Sequence, residues 1–551
     1  MEKREIKKVL IANRGEIALR VQRACAAMGI RTVSIASEAD RNALFARQAE
    51  QLIVIGAPPP RESYLNMEKI IAAAQSSGAD AVHPGYGFLS ENADFARKVI
   101  EAGLNYIGPR PDSIAIMGSK TAARERVSQY GVHCTPGSAA GLSDPELAEK
   151  AAAIGYPVLI KAVAGGGGRG MRVANSAHEL AEALPRARAE ALKNFSSEDV
   201  YIEKYILLPR HVEVQIFGDA YGNVVHFGTR DCSTQRRHQK LIEEAPAPNL
   251  PTALRESIHA AAVQAAKSVN YRGAGTCEFL VSGSDFYFLE MNTRIQVEHP
   301  VTEAVTGVDL VQLQLKVAMG EPLPMTQEQI TFNGHAIEFR IYAEDPCRNF
   351  APSNGLITAL KRADLPWVRE DFAFEEGDQV NIFYDAMISK MIILGDDRLD
   401  SIEKSIEALN AYQLEGVTTS IAYHLWLLYN EAFRKSPIDI GFVERELTPE
   451  AVRAIKACRL RDPRHQKPTG GAEVKSTYNY TSKKFGKTCE IEILHTRNGT
   501  FVARPVDMDG TRARNMYCRR SNGLNDAVKC LINDVLEQVP PPQLFGGQLH
   551  A

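Results

Sequence analysis

The run Glu-Met-Asn-Thr-Arg-Ile-Gln-Val-Glu places Glu290, Asn292, Arg294, Gln296 and Glu298 on every second position. Side chains of an extended chain alternate between faces. An extended reading therefore puts two carboxylates, two amides and a guanidinium on one face, with Met291, Thr293, Ile295 and Val297 on the other. Such a row is costly to bury unless something charged lies against it. Carboxylate and amide oxygens suit a hard cation such as Mg2+, and a guanidinium suits an oxyanion. The plainer alternative is the solvated face of an edge strand, and two neighbouring features argue against it.

The first is the hairpin before the row. Residues 276–281 and 286–290 read as strands joined by Ser282-Gly-Ser-Asp285. A loop from Gly283 to Asp285 pairs Ser282 with Phe286 and sets Glu278 opposite Glu290. A register slipped by one residue would put the two carboxylates on opposite faces. Facing carboxylates repel, so this pairing makes sense chiefly with divalent cations between them. The second feature is Lys161-Ala-Val-Ala-Gly-Gly-Gly-Gly-Arg-Gly-Met171, set between strand-like residues 157–160 and 171–173. Consecutive glycines expose backbone N–H groups that can wrap a phosphate. No Gly-Lys-Ser/Thr follows and no helix opens there, so this is not a Walker A loop. Lys161 beside the glycines argues against a mere linker.

These features need elements to hold them. Strand-like residues 9–12, 31–36, 79–83 and 106–107 alternate with helical residues 16–28, 64–75 and 92–102, the pattern of a doubly wound parallel sheet. Asn13-Arg14-Gly15 and His83-Pro-Gly-Tyr-Gly87 then fall at the carboxyl ends of strands, where such sheets take ligands. Neither is a GxGxxG, and His83 serves equally well as a turn cap. Residues 133–205 form a smaller unit holding the glycine run, and residues 206–447 a larger, antiparallel-rich region holding the polar row. Residues 459–476 are rich in Pro, Gly, Lys and Arg and read as a linker. Beyond it, residues 489–495 and 500–503 flank Asn498-Gly499, a strong hairpin signal, and residues 525–539 carry apolar side chains at helical spacing. The fold class expected is multidomain α/β and α+β.

A length of 551 residues suits about three to four domains. The net charge of −3 offers no basic field for nucleic acid or an anionic membrane. The basic stretch 230–240 is a local exception and reads as the lining of an anionic-ligand pocket. Nine scattered cysteines without C-x-x-C point to a reducing compartment and away from a disulfide framework or a zinc site. The charged N-terminus is unlike a signal peptide, and no apolar run approaches the roughly eighteen residues of a membrane span. The expected location is the cytoplasm.

From about residue 6 to about residue 447 the chain resembles the biotin carboxylase subunit of biotin-dependent carboxylases, an ATP-grasp enzyme. The resemblance rests on Ile11-Ala-Asn-Arg-Gly-Glu-Ile-Ala18, His83-Pro-Gly-Tyr-Gly-Phe-Leu-Ser-Glu-Asn92, the glycine run and Arg230-Asp-Cys-Ser-Thr-Gln-Arg-Arg-His-Gln-Lys240. It continues through the 290–298 row, Phe339-Arg-Ile-Tyr-Ala-Glu-Asp345 and Tyr384-Asp-Ala-Met-Ile-Ser-Lys390. It implies that Lys120, Lys161 and the loop glycines Gly166, Gly167 and Gly168 contact the phosphates of ATP. Glu203, Lys204 and Ile206 would then seat the adenine edge, with His211, Gln235, His238 and Leu280 completing the nucleotide pocket. Glu278, Glu290 and Asn292 would bridge Mg2+ (or Mn2+) to the phosphates. Lys240, Arg294, Gln296 and Val297 match positions around bicarbonate, Val297 through its backbone. Glu298 matches the general base, with an ion pair to Arg294 as its structural alternative, and Arg340 matches the residue that stabilises the biotin enolate.

The implied reaction has two steps: bicarbonate attacks ATP to give carboxyphosphate and ADP, and biotin N1 is then carboxylated. The implied domains are residues 1–118, an ATP-grasp domain at 119–332 with its lid at about 133–205, a C-terminal biotin carboxylase domain at 333–450, the linker, and a small β-plus-helix extension at 477–551. The glycine run departs from many relatives in opening Ala162-Val163-Ala164. No Ala-Met-Lys-Met biotin attachment segment is present, so the expected partners are a separate biotin carboxyl carrier protein and a carboxyltransferase, with a homodimer as the expected assembly. Another ATP-grasp ligase forming an acyl-phosphate would lack the combination of Arg294-Ile-Gln-Val-Glu298 with Arg340. A non-catalytic assembly subunit would be expected to have lost one of Glu278, Glu290, Lys240 or Glu298.

Overall fold

The computed structural model describes residues 4–163, 171–195, 197–237, 239–435 and 437–461, then 473–481, 488–495, 501–507, 519–521, 531–532 and 536. Gly166, Gly167, Gly168, His238, the Asn498-Gly499 turn and most of the helix expected at 525–539 lie outside these residues.

Five parallel strands open the chain: β1 (Lys8–Ile11), β2 (Arg31–Ser37), β3 (Leu52–Gly56), β4 (Ala81–His83) and β5 (Asn105–Tyr106), in the order β3-β2-β1-β4-β5. This is the expected doubly wound sheet, with one edge strand, β3, that the sequence pattern did not single out. Gly15, at φ +66°, lets the chain turn from β1 into the helix Gly15–Ala27. That helix buries Ile17, Ala18, Val21, Ala24 and Cys25 at helical spacing against the sheet. Asn13 Nδ2 donates to the carbonyls of Pro84 and Tyr86, both at 2.7 Å. The two turns at the carboxyl ends of β1 and β4 are thereby tied together.

The smaller unit is a three-stranded antiparallel sheet of β6 (Val158–Ala162), β7 (Arg172–Ala174) and β8 (Val200–Lys204), with β6 in the middle. The helices Asp144–Ile154 and Ala177–Phe195 pack on it around Leu147, Val158, Ile160, Leu180 and Ile202. Strand alternation sends Lys161, Tyr201 and Glu203 to the other face.

The large region is built on one eight-stranded antiparallel sheet. Its order is β13 (Asp285–Asn292), β12 (Gly273–Ser282), β9 (Arg210–Gly218), β10 (Val224–Arg236), β11 (Gln239–Ala245), β14 (His335–Tyr342), then Met387–Gly395 and Val368–Phe372. The sheet continues across residues 332 and 333, so the parts on either side of that point share one ladder. The helix Pro449–Arg461 runs three residues into the stretch expected to be linker, and the next strand opens at Glu473, inside the same stretch. A four-stranded antiparallel sheet follows, Glu473–Thr481, Thr488–His495, Phe501–Asp507 and Arg519–Ser521. His495 pairs with Phe501, as a hairpin through Asn498-Gly499 requires. No helix among the described residues is long and apolar enough to cross a membrane.

Candidate active site

The β12–β13 hairpin sets Glu278 opposite Glu290, by a route different from the expected one. Ser282 pairs with Asp285, leaving a two-residue loop with Gly283 at φ +60°. From Val281↔Phe286 to Phe279↔Phe288 the register is one residue short of that expected, and a bulge at Leu289 then restores it. Glu278 is buried, and its Oε1 accepts from Asn292 Nδ2 at 2.7 Å and Gln296 Nε2 at 2.8 Å. Its Oε2 lies 2.9 Å from His211 Nε2. Burial pushes the Glu290 carboxyl up, as does the charge of Glu278, while Lys120 opposes both. A divalent cation would relieve that cost, and the oxygen donors of Glu278, Glu290 and Asn292 fit a hard one. His211, Glu213 and Glu278, and separately Glu213, Cys232 and Glu298, also bring ligand atoms within 4.8 Å of one another. Their nitrogen and thiol donors suit Mg2+ less well.

The extended reading of the polar row fails after Asn292, where β13 ends. Thr293 and Arg294 form a bend, Val297 and Glu298 a turn, and the helix His299–Thr306 begins at the next residue. Glu298 has φ −81° and ψ 9°, which is not strand geometry. Pro300 in the first helical turn is the sequence signal for this, since proline there removes only an N–H that has no helical partner. The row still converges on one place. Glu298 is 2% exposed. Its Oε1 accepts from Lys240 Nζ at 2.7 Å and its Oε2 from Arg340 Nη2 at 2.9 Å.

Lys240 also contacts Glu213 and reaches Glu278 at 3.3 Å, while Arg340 Nε donates to Glu243 at 2.6 Å. Arg294 pairs with Glu91 at 2.8 Å and donates to Asn292 Oδ1 at 2.8 Å, so the alternative pairing with Glu298 is not formed. Gln296 is held from below by the fully buried Arg230, which also bonds Glu213 at 3.0 Å and Thr276 at 3.0 Å. Lys390 Nζ donates to the Val297 carbonyl at 2.8 Å.

Mutual pairing sets the charge states. Burial raises the Glu298 carboxyl, but Lys240 and Arg340 outweigh it and hold the group below the ordinary carboxylate range. Glu213 is brought down to about 2 against its burial, chiefly by Lys240 with His211 and Arg230 assisting. Burial lowers Lys240, yet Glu213, Glu278 and Glu298 drive its pKa well up. Burial also lowers His211, and Glu278 reverses this to about 10, so the ring is a cation at neutral pH. Glu243 is pushed up to about 7 by burial and by the charge of Glu298, against the pull of Arg340.

The remaining predicted residues line the approach from the smaller unit. Glu203 takes Lys161 Nζ at 2.5 Å and Arg124 Nη1 at 2.6 Å. Lys120, at the start of the helix Lys120–Ser128, is pulled down by burial and by Lys161, with Glu290 opposing. Gln235 Nε2 lies 3.4 Å from His211 Nδ1, and Leu280 is the register partner of His211. Lys204 Nζ is spent on the carbonyls of Gly155 and Tyr156, both at 2.9 Å, and half-buried Ile206 follows it out of β8. Sequence reasoning missed Glu213, Arg230, Glu243, Arg124 and Glu91 as site residues. His211, Glu213 and Gln215 alternate with Val212, Val214 and Ile216, the same test that exposed the 290–298 row.

Three family models match in order: "Biotin carboxylase, N-terminal domain" over residues 5–114, "Carbamoyl-phosphate synthase L chain, ATP binding domain" over 119–326, and "Biotin carboxylase C-terminal domain" over 338–445. The chain is 50% identical to a biotin carboxylase of Nostoc sp. over 440 residues, 79% of this chain and 98% of that one. It is 44% identical to the mitochondrial methylcrotonoyl-CoA carboxylase subunit alpha of Mus musculus, over 91% of this chain and 72% of that one. Among solved structures, the biotin carboxylase domain dimer of Hydrogenobacter thermophilus 2-oxoglutarate carboxylase, in complex with MgADP, ADP and bicarbonate, superposes with a TM-score of 0.78 at 44% identity, covering 82% of this chain and 99% of that one.

Proposed function

The chain belongs to the biotin carboxylase family, and from that premise we propose how its residues divide the reaction among themselves. The activity is ATP-dependent carboxylation of biotin with bicarbonate, through carboxyphosphate, with Mg2+ as the metal. The observation that carries the assignment is the buried Glu298 carboxylate held at once by Lys240 and Arg340. A carboxylate so held is ionised at neutral pH and free to take a proton.

Glu298 is the base that removes the bicarbonate proton. Lys240 and Arg294 hold the anion, with Val297 contributing backbone, while Gln296 braces Glu278 and Arg230. The deprotonated oxygen attacks the γ-phosphorus and ADP leaves. Carboxyphosphate then yields CO2 and phosphate, the phosphate accepts the proton of biotin N1, and N1 attacks CO2. Arg340 stabilises the oxygen of the biotin enolate, a role suited to a fork that stays protonated. When bound at Glu278, Glu290 and Asn292, Mg2+ neutralises phosphate charge. Lys120, Lys161 and the loop glycines hold the phosphates, Glu203, Lys204 and Ile206 meet the base, and His211, Gln235, His238 and Leu280 complete the pocket. The smaller unit serves as a lid, and excluding water protects a carboxyphosphate that water would destroy.

The biotin is on a separate carrier protein, with a carboxyltransferase downstream. The missing attachment segment and the subunit names of the relatives support this reading. A homodimer is the assembly, supported by the dimer among the neighbours. The cytoplasm is the compartment, supported by six described cysteines that are all free. The extension after the linker serves assembly rather than chemistry, since it holds none of the assigned residues. The test is to supply MgATP, labelled bicarbonate and free biotin, and to follow phosphate release and labelled carboxybiotin. ATP cleavage that needs bicarbonate and rises with biotin is the expected result. Cleavage indifferent to bicarbonate would overturn the assignment of Lys240, Arg294 and Glu298. Intact mass after expression beside a biotin ligase should show no added biotin, and a biotin-sized increment would overturn the separate carrier.

A further inference from the structure

Three sequence motifs have no place in the reaction as assigned: Asn13-Arg-Gly-Glu16, His83-Pro-Gly-Tyr86 and the segment ending at Lys390. In the structure they meet. Lys390 is 0% exposed, on the strand Met387–Gly395. Its Nζ lies 2.8 Å from the Val297 carbonyl oxygen, 3.1 Å from Glu16 Oε1 and 4.0 Å from Asp371 Oδ2, with the Tyr86 ring at 6.0 Å. Tyr86 in turn donates its hydroxyl to Glu16. Glu16 and Tyr86 come from the parallel-sheet unit, Val297 from the turn before His299–Thr306, and Lys390 and Asp371 from the far end of the large sheet. A fully buried ammonium is costly unless it is paired and hydrogen-bonded.

The register shows what this arrangement holds in place. Lys390 stands directly opposite Arg340 across two neighbouring strands, and opposite Asp371 on its other side. Arg340 holds the Glu298 side chain and Lys390 holds the Val297 carbonyl. Two consecutive residues of one turn are therefore pinned to two facing residues of one ladder. Val301 and Val305 of the following helix pack on Ala336 and Ile392, which share that sheet face by alternation.

We propose that Lys390 is a positioning residue for the catalytic base: it fixes the turn that presents Glu298 to Lys240 and Arg340, and through Glu16 it couples that placement to the docking of the N-terminal parallel-sheet unit. The inference rests on Glu298 being the base. Glu298 is held ionised only while it sits between its two cations. A loosened turn therefore moves its protonation toward an ordinary glutamate and lowers turnover.

The test compares Lys390→Met, Lys390→Met with Glu16→Gln, Lys390→Arg and Glu298→Gln in the full chain. Lys390→Met leaves Glu16 and Asp371 without their cation and should lower the melting temperature, and the double variant should recover most of that loss. In both, kcat for bicarbonate-dependent ATP cleavage with free biotin should fall about 10–100-fold, the scale of a misplaced reacting group, while KM for MgATP changes little. The acid limb of the kcat profile should move to higher pH, and Lys390→Arg should recover part of the rate. If the double variant regains both stability and wild-type turnover, Lys390 is only an inter-unit strut and the proposal is overturned. Neither Met variant folding overturns it as well, since the network would then be a folding element. If Glu298→Gln keeps wild-type turnover, the base assignment itself has failed. If Glu298→Gln is inactive and the Lys390 variants are not impaired, only the present inference has.

Discussion

Glu298→Gln is the substitution that separates chemistry from architecture at this site. The amide keeps the shape of the side chain and can still accept a hydrogen bond, but it carries no charge and cannot take the bicarbonate proton. Lys240 retains Glu213 and Glu278, and Arg340 retains Glu243. Neither cation is left alone, so the stability cost is that of charge-assisted hydrogen bonds, about 1.5–3 kcal/mol, and not the roughly 3–5 kcal/mol of an orphaned buried charge. The Glu298 carboxyl is depressed in the native state. Its contribution to stability is therefore present above the ordinary glutamate pKa of about 4.3 and is lost as pH falls through the native value. The gap in melting temperature between wild type and variant should follow that course. Turnover is the sensitive readout: a positioned base contributes about 10²–10⁴-fold, so phosphate release with saturating MgATP, bicarbonate and biotin should fall at least about a hundredfold. Calorimetric binding of ADP should change little, because Lys161, Glu203 and His211 are untouched. A folded variant that binds ADP normally and keeps more than about a tenth of wild-type turnover would refute the role of Glu298 as base.

Arg340→Ala should reduce biotin carboxylation by about 10²–10³-fold and bicarbonate-dependent ATP cleavage by less, because the enolate appears only in the second step while Glu298 keeps Lys240 in the first. Equal loss in both assays would mark Arg340 as merely the brace of Glu298 and Glu243. A chain ending after Arg461 should retain free-biotin activity but fail to copurify with the carrier and carboxyltransferase. Loss of activity in the folded truncation would make the extension part of the site. Burial raises Glu244, but Arg398 at 2.6 Å and His335 at 2.9 Å bring it to about 2. Its stabilisation is therefore complete above about pH 4.5 and is lost as pH falls toward 2. Arg398→Met should cost roughly 3 kcal/mol near neutrality, and melting curves taken at falling pH should show the gap from wild type closing. A gap independent of pH would mean the loss is one of packing alone.

The sequence made residue types easier to read than backbone conformation. Period-two alternation picked out the right set from Glu290 to Glu298, but only its first three residues are strand. The rest converge because a bend and a helix start carry Gln296 and Glu298 inward, and Pro300 was the available clue. The Glu278–Glu290 pairing was reached through a loop one residue too long, compensated by a bulge at Leu289 that leaves no distinctive mark in composition. The parallel sheet was legible because its strands and helices are local patterns. The coupling of Glu16 to Lys390 was not, because nothing in either segment reveals a partner hundreds of residues away.

The missed residues explain how so much charge is tolerated inside the molecule. Around Glu298 the buried floor sets Glu213, Glu243, Glu278 and Glu298 against Arg230, Lys240, Arg340 and a cationic His211. The two sides nearly cancel, which is what allows each member to keep its charge away from water. Glu243 is the adjustable one, poised near neutrality partly by the charge of Glu298. When Glu298 takes up a proton, the contribution that holds Glu243 up disappears, and Glu243 shifts toward its ionised form. Arg340 therefore retains an ionised carboxylate partner on either side of the proton transfer. Because compensation comes from strands β9 and β11 and the polar row comes from β13 and the turn beyond it, reading the row alone could identify the chemistry but not the groups that make its burial affordable.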